Sequence, residues 1–154
     1  MMELQIVEPK SEEEFETYYR LRYERLRKPL GLPPGTERDE QMEPATIHCV
    51  VKTGDRVIAA TCWVVGMRTE GDVRALYVRW RQLAVDPEFE GRGIGNTLMR
   101  HVEENARAIG AAELVGNVRM EIVPWFRRHG WIEVGEGVKL FDQVESLEMS
   151  KPLT

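Results

Sequence analysis

The spacing of apolar positions divides this chain into segments that predict helices and segments that predict strands. Ser11-Glu12-Glu13-Glu14 has the form of a capping box, so we expect a helix that begins at Ser11. That helix should end near Arg27, because the prolines that follow disfavour the α conformation. Apolar residues recur at helical spacing again from Ile94 to Ile109, and a third, shorter helix is predicted at 122–128.

Runs rich in β-branched residues, several of them bounded by glycine turns, predict strands. They occupy residues 4–7, 46–52, 56–67, 73–85, 114–115, 131–134 and about 144–149. The prolines and glycines between Lys28 and Pro44 exclude a regular helix or a central strand there. The resulting order, β-α-β-β-β-α-β-α-β-β, predicts an α/β fold of the mixed α+β type, with helices packed on a mixed sheet.

Composition narrows the class of protein. The 154 residues are 42% hydrophobic and 31% charged, which fits a single globular domain over 1–154. The net charge of −5 argues against binding to nucleic acid or to an anionic membrane, and an acidic field suits cationic substrates such as amines. The sequence contains no apolar run of ~18 residues and no secretory signal, so we expect a cytoplasmic protein without a membrane span.

Cysteine and histidine are too sparse to predict a metal site. The two cysteines do not form a Cys-x-x-Cys motif, and the three histidines are scattered along the chain. Cys49 and Cys62 lie in predicted strands, where buried thiols are the expected state and a disulfide between neighbouring strands is the alternative.

The segment between the fourth predicted strand and the second helix carries the most informative pattern. Leu83-Ala84-Val85-Asp86-Pro87 ends the strand, and Glu90-Gly91-Arg92-Gly93-Ile94-Gly95 leads directly into the helix. Glycines permit positive φ and close approach of a ligand, and a helix N-terminus presents unpaired N–H groups and partial positive charge. With Arg92 as a fixed cation, the loop is a candidate pyrophosphate site; a glycine-rich turn that binds nothing is the alternative.

Two common nucleotide-binding motifs do not fit this loop. The dinucleotide fingerprint G-x-G-x-x-G would require a glycine at position 96, where this chain has Asn96. A P-loop requires Gly-Lys followed by Ser or Thr, and Gly95-Asn96-Thr97 lacks the lysine. The loop therefore belongs to neither motif.

The loop does resemble the coenzyme loop of the GNAT superfamily of N-acetyltransferases. The family pattern is [Q/R]-x-x-G-x-[G/A] after a strand that ends like L-x-V-x-P, and the chain matches it from Leu83 to Gly95, except that Glu90 replaces the usual Gln or Arg. A second match runs from Arg119 to Trp131, which is similar to N/R-x-x-A-x-x-F-Y-x-x-x-G-F. The N-terminal part resembles small bacterial members, including ElaA-like ones.

The resemblance implies acetyl-CoA as cosubstrate and direct transfer of its acetyl group to a primary amine of a small molecule or a protein. It also implies a twisted, mostly antiparallel sheet that splays in the middle, helices on both faces, and a homodimer. In such a site the backbone N–H of Val85 polarises the thioester carbonyl. The cofactor-binding residues that the resemblance implies are Leu83, Ala84, Val85, Glu90, Gly91, Arg92, Gly93, Ile94, Gly95, Asn96, Asn117, Arg119, Trp125 and Phe126.

The resemblance leaves the general acid and the general base open. Phe126 stands where many relatives have a tyrosine beside the departing sulfur, and phenylalanine has no proton to give. Near the usual base the chain has Arg79 and Arg81, which stay protonated and either recognise an anionic group of the acceptor or pair with acidic neighbours. His48 is a candidate base, although its place on a strand favours a structural role; Glu24 and a water chain are the alternatives.

Two hypotheses from other classes accompany the acetyltransferase. A non-catalytic acyl-CoA-binding regulatory or interaction module would keep the loop without turnover, and the absence of the tyrosine and of an evident base favours it. A different nucleotide-binding protein would be stabilised by ATP or NAD and not by CoA.

Overall fold

The computed structural model describes residues 3–38 and 43–153, and within them the chain forms three α-helices and eight strands. The helices are α1 Glu12–Leu26, α2 Ile94–Ala108 and α3 Val123–Arg128. The strands are β1 Gln5–Val7, β2 Ile47–Thr53, β3 Arg56–Glu70, β4 Val73–Val85, β5 Glu113–Arg119, β6 Ile132–Gly135, β7 Lys139–Leu140 and β8 Val144–Pro152. The expected mixed α/β class is confirmed.

The strands follow the order β1-β2-β3-β4-β5-β8-β6, and β7 pairs with β8. Most neighbours are antiparallel, including β1 with β2, β2 with β3, and β8 with β5, β6 and β7. The exception is the parallel pair β4 and β5, whose registered residues are only Tyr77–Arg79 against Glu113–Val115, although β4 continues to Val85 and β5 to Arg119. Such a short parallel pairing agrees with the expected splay of the sheet.

The chain divides into two compact units. The first unit contains the residues up to Val64 together with Gln82–Val102, and the second unit contains Val65–Arg81 together with the chain from Glu103 onward. The strands β3 and β4 and the helix α2 contribute residues to both. The expectation of a single domain over the whole chain stays a prediction.

The core of the first unit forms where α1 packs on its strands. The helix starts as its sequence predicts: the Glu14 N–H donates to Ser11 Oγ at 3.0 Å, and the Ser11 N–H donates to the Glu14 carboxylate at 3.3 Å. The buried cluster beneath the helix takes residues from α1, β2, β3 and β4, namely Tyr18, Leu21, Val50, Val57, Ala60 and Ala84. Burial of these side chains supplies the main driving force for docking of the helix.

Aromatic rings form a cluster in the second unit. The Phe126 ring lies 5.5 Å from the Trp80 ring and 5.0 Å from the rings of Trp125 and Trp131, measured between centroids. Trp80, Phe126 and Trp131 are all buried. We refer to these four residues as the Phe126 cluster. Its ring separations are those of favourable aromatic pairs, so the cluster fixes α3 against its strands.

Besides extensions of three residues at the ends of β3 and β8, three elements differ from the sequence prediction. The strand β5 covers all of Glu113–Arg119 where only 114–115 was predicted, because its whole length pairs with β8. The two-residue strand β7 was not predicted. The third helix is preceded by a 3-10 turn at Met120–Ile122, and Pro124 therefore sits in the first turn of α3, where proline is tolerated.

Both cysteines are buried and free, so the disulfide alternative does not occur. Burial raises the pKa of the Cys49 thiol to about 12. Across the described part of the chain, helices are too short or too polar to span a membrane. Among residues 3–38 and 43–153, no group of three or more histidine, cysteine, aspartate or glutamate side chains is placed to hold a metal ion.

Candidate functional site

A short loop joins the end of β4 to the first turn of α2. Asp86 accepts a hydrogen bond from the Glu88 N–H at 2.9 Å and caps the 3-10 turn Pro87–Phe89, which ends the strand. Gly91 and Gly93 both have φ of +76°, a left-handed conformation that glycine adopts most readily. A Cβ on either glycine would meet nothing within 4 Å, so the space beside the loop is open and the backbone conformation alone requires glycine.

The loop forms one side of a pocket of about 540 Å³ in the first unit. The pocket is lined by Arg25, Leu26, Leu83, Ala84, Val85, Phe89, Glu90, Gly91, Gly93, Ile94, Gly95 and Asn96. These include every expected cofactor-binding residue of this unit except Arg92, whose guanidinium packs over the Phe89 ring at 5.1 Å. The residues that the resemblance singled out in the first unit are therefore brought together around one cavity.

An ion pair balances the charge of the loop. Glu90, the departure from the family pattern, pairs through its carboxylate with the Arg25 guanidinium, and both residues line the pocket. Because both side chains are partly exposed, the pair contributes little stability, on the order of 0–1 kcal/mol. Its consequence is local: the negative charge of Glu90 is balanced, so it opposes less of the positive potential of the backbone N–H groups and the α2 N-terminus.

The end of β4 carries helices on opposite faces. Ala84 belongs to the buried cluster under α1. Leu83 points to the other side, since its Cδ2 would lie 3.5 Å from a Cβ on Gly95 in α2. Adjacent residues of a strand face opposite ways, so the last residues of β4 separate the two helices.

The backbone N–H groups at this strand end also point in opposite directions. The Asp86 N–H donates to the Ile58 carbonyl of β3 at 2.8 Å. Successive N–H groups of an extended chain alternate between its two edges. The Val85 N–H is therefore directed to the edge of β4 away from β3.

The remaining expected cofactor residues lie in the second unit. Asn117 is exposed on β5, Arg119 is half-buried at the end of that strand, and Trp125 is half-buried on α3. Phe126 is 3% exposed within the Phe126 cluster, so its ring is a core residue of this unit. A backbone feature was not foreseen: a Cβ on Gly116 would lie 3.0 Å from the Trp80 ring, so β5 approaches β4 closely there.

His48 lies on β2 in a network with side chains from α1. The Tyr18 hydroxyl accepts an N–H from Arg22 at 3.1 Å, is hydrogen-bonded to His48 Nδ1 at 2.7 Å and lies 3.5 Å from the Thr61 carbonyl. His48 Nε2 faces the Glu43 carboxylate at 3.5 Å. Burial lowers the pKa of His48 and so disfavours the charged imidazolium. Both ring nitrogens are engaged, which is the arrangement of a structural histidine.

The other polar candidates are partly or fully exposed. Arg79 pairs with Glu148 at 3.2 Å, as in the alternative of an acidic neighbour. Arg81 is half-buried on the same strand, and Glu24 is exposed on α1.

A family model described as the acetyltransferase (GNAT) domain matches residues 44–133 of this chain. The match spans more than half of the sequence and includes β2 to β5, the glycine loop, α2 and α3. The chain belongs to the GNAT acetyltransferase family. The resemblance deduced from the loop and from the Arg119–Trp131 segment is thereby confirmed.

Individual relatives agree with this GNAT assignment. The chain is 25% identical over 142 residues to the uncharacterized N-acetyltransferase YjcF of Bacillus subtilis (strain 168), over 92% of this chain and 95% of YjcF. It shares its fold with Escherichia coli ElaA, at a TM-score of 0.73 and 15% identity over 98% of this chain and 99% of that one. An acyl-CoA N-acyltransferase from Pseudomonas aeruginosa gives a TM-score of 0.75 and 16% identity over 98% and 99%.

Membership in the GNAT family confirms three expectations. The chain is an N-acetyltransferase, its family uses acetyl-CoA as cosubstrate, and the acceptors of the family are amines. The alternative of a non-catalytic acyl-CoA-binding module is not favoured. The roles of individual site residues and the homodimer stay predictions.

Two features of the site were missed from the sequence. Arg25 lines the pocket from α1 and pairs with Glu90, although 65 positions separate them. Arg22 is fully buried and donates its Nε hydrogen to Gln82 Oε1 at 3.0 Å. The one available signal was the arginine spacing on α1, since residues three apart lie on the same side of a helix.

Proposed function

We propose that this GNAT protein transfers the acetyl group of acetyl-CoA directly to a primary amine of a small molecule or a protein. The observation that carries the proposal is a pocket that the positive-φ glycine loop shares with the end of β4. One wall offers backbone N–H groups for a diphosphate, and the other offers a strand end for the acyl arm.

The diphosphate would be held by the backbone from Glu90 to Asn96. The first N–H groups of α2 have no partner within the helix, and the helix N-terminus carries about half a positive charge. Glycine at positions 91 and 93 adopts the left-handed backbone of the loop without strain and adds no side chain beside these N–H groups. This arrangement explains how a chain with a net charge of −5 can bind an anion.

The acetyl transfer would proceed by direct attack. The neutral amine attacks the thioester carbonyl carbon, a C–N bond forms, the C–S bond breaks and CoA leaves as the thiolate. The Val85 N–H, directed away from β3, would donate to the carbonyl oxygen as it gains negative charge; one donor of this kind can contribute ~3–4 kcal/mol. The coenzyme contacts predicted for Asn117, Arg119, Trp125 and Phe126, which belong to the second unit, stay predictions.

Proton transfer in this proposal does not need a dedicated side chain. Phe126 has no proton to give, and a thiol with a pKa of about 8.5 leaves tolerably as its anion. His48 has both ring nitrogens engaged with Tyr18 and Glu43, which favours its structural role over that of general base. The ammonium proton of the acceptor would leave to water before attack, the attacking nitrogen would release a second proton to solvent as the C–S bond breaks, and the thiolate would take a proton from solvent.

Calorimetric titration with CoA, acetyl-CoA, ATP and NAD tests the binding step, and thiol release over a panel of amines tests turnover. We expect CoA and acetyl-CoA to bind, ATP and NAD not to bind, and at least one amine to release thiol. Gly93→Glu should abolish CoA binding, because it adds an acid and a strained Cβ at the loop. Gly54→Glu, at another positive-φ glycine outside the pocket, is the matched control and should leave binding intact.

Each outcome separates the hypotheses. No measurable affinity for CoA or for any acylated form would overturn the proposal. Tight binding of acetyl-CoA without thiol release from any amine would favour the non-catalytic module. Binding of ATP or NAD in place of CoA would favour the third hypothesis, a different nucleotide-binding protein.

A further inference from the structure

Among the described residues that line the pocket of the first unit, Arg25 is the cation. It lies in the last turn of α1, on the opposite side of the cavity lining from the helix that the glycine loop begins. The rest of the lining is apolar or neutral, apart from the acid Glu90. Arg92, the cation of the loop itself, packs over the Phe89 ring and does not line the pocket. The positive side-chain charge of the pocket therefore comes from α1.

The Arg25 guanidinium keeps hydrogen-bond donors available. A guanidinium carries several N–H donors and no acceptor. Its Nη2 donates to the Glu90 carboxylate, and no other residue in the described parts of the chain accepts a hydrogen bond from it. The Arg25 side chain is 36% exposed. A ligand that enters the pocket can consequently reach the remaining donors without displacing another partner.

The position of Arg25 is set by the packing of α1. Leu26, the next residue, packs against the buried cluster that contains Ala84 of β4. The ion pair of Arg25 with Glu90 joins the same end of the helix to the first residue of the glycine loop. The guanidinium therefore lies within the reach of one glutamate side chain from the loop backbone, which is the part of the pocket that would hold the diphosphate.

We propose that Arg25 donates hydrogen bonds to the diphosphate of the coenzyme and is a binding residue of the acetyl-CoA site. The inference rests on the proposed function, because the glycine loop must hold the diphosphate in this pocket. The α2 N-terminus offers only about half a positive charge, whereas both phosphates of the diphosphate are ionised. The pantetheine arm is uncharged, so the diphosphate is the group beside the loop that the planar fork of a guanidinium favours. Glu90 competes for the guanidinium and lowers the affinity that Arg25 provides.

Calorimetric titration with CoA and with 3′-dephospho-CoA tests this role. Arg25→Gln should weaken the binding of CoA by about tenfold or more, because charge-assisted hydrogen bonds are lost. The loss should be equal for the two molecules, since they share the diphosphate and differ in the 3′-phosphate. Arg20→Gln, at an exposed position of α1 outside the pocket, removes the same charge and should change neither dissociation constant by more than about twofold.

A double variant, Arg25→Gln with Glu90→Gln, separates a direct contact from a general effect of charge. It removes one cation and one acid, so the formal net charge stays at −5. If Arg25 contributed only to the electrostatic potential of the pocket, the double variant would bind CoA as the unaltered protein does. A lost contact is not restored by removing the acid, so we expect the double variant to bind CoA about threefold or more weakly than the unaltered protein.

Thermal melts by circular dichroism check that each variant is folded. Arg25→Met, which keeps an apolar stem, repeats the titrations if Arg25→Gln does not fold. Four results would overturn the inference and leave the proposed function intact: unchanged CoA affinity in Arg25→Gln, a loss for CoA without one for 3′-dephospho-CoA, an equal loss in Arg20→Gln, or a double variant that matches the unaltered protein. Failure of the unaltered protein to bind CoA would instead remove the proposed function, and this inference with it.

Discussion

Replacement of Gly93 by alanine separates the conformation of the glycine loop from its role in binding. The residue has φ of +76°, and an added Cβ would meet nothing within 4 Å, so the substitution introduces backbone strain and no clash. A left-handed conformation costs an alanine about 1–2 kcal/mol. For a chain of this length about 1 kcal/mol corresponds to roughly 2–4 °C, so we expect the melting temperature to fall by roughly 2–8 °C.

The expected effect on CoA binding is larger. The strain is relieved if the backbone rotates, and rotation turns a loop N–H away from the diphosphate. A hydrogen bond to a charged group is worth about 1.5–3 kcal/mol, so CoA should bind about 10- to 150-fold more weakly. Gly93→Asn should recover part of this loss, because asparagine enters the left-handed region more easily than alanine.

Gly54→Ala is the matched control for this experiment. Gly54 lies in the turn between β2 and β3 with φ of +59°, and an added Cβ there also meets nothing within 4 Å. The same strain should therefore lower the melting temperature by a similar amount without changing CoA affinity. Thermal melts by circular dichroism and calorimetric titration with CoA measure the two effects. If both variants lose stability equally and neither loses CoA affinity, the backbone at Gly93 does not hold the diphosphate.

Three further substitutions test separate features. Phe126→Tyr buries a hydroxyl in the Phe126 cluster and should lower the free energy of unfolding by about 1–3 kcal/mol in denaturant titrations; an unchanged value would contradict the packing described. The hydrogen bond from Lys52 and those from nearby backbone N–H groups lower the pKa of Glu14 from 4.5 to about 2. The ionised Glu14 carboxylate therefore stabilises the fold fully above pH 4.5, and this contribution is lost as the pH falls from 4.5 toward 2. Glu14→Gln should therefore flatten the pH dependence of unfolding in that window, and an unaltered acid limb would refute the assignment. Glu90→Gln leaves Arg25 unbalanced beside the loop and should tighten CoA binding roughly two- to fivefold at low salt, with a smaller gain at high salt; weaker binding would show that the ion pair itself supports the loop.

Elements whose ends depend on a few neighbouring residues could be predicted from the sequence. The capping box at Ser11 set the start of α1, and the observed bonds of Glu14 reproduce it. Glycine turns at Gly54 and Gly71 separate β2, β3 and β4, and β4 runs over Val73–Val85 as predicted. In each case the information lies within about four positions of the boundary.

Elements stabilised by distant partners could not be predicted in the same way. Gly116 and Asn117 weaken the strand signal of β5, yet pairing with β8 extends that strand to seven residues. The contacts that shape the pocket are more distant still: 65 positions separate Arg25 from Glu90, and 60 separate Arg22 from Gln82. No local pattern indicates such pairs, because the fold alone brings them together.

The distribution of tryptophans determines what an optical measurement on this protein reports. Three of its four tryptophans belong to the Phe126 cluster in the second unit, and only Trp63 lies in the first unit with the glycine loop. Intrinsic fluorescence will consequently follow the melting of one half of the chain much more strongly than that of the other. Fluorescence measurements on the glycine loop need an added chromophore near α2, or a comparison with Trp63→Phe that isolates the emission of Trp63.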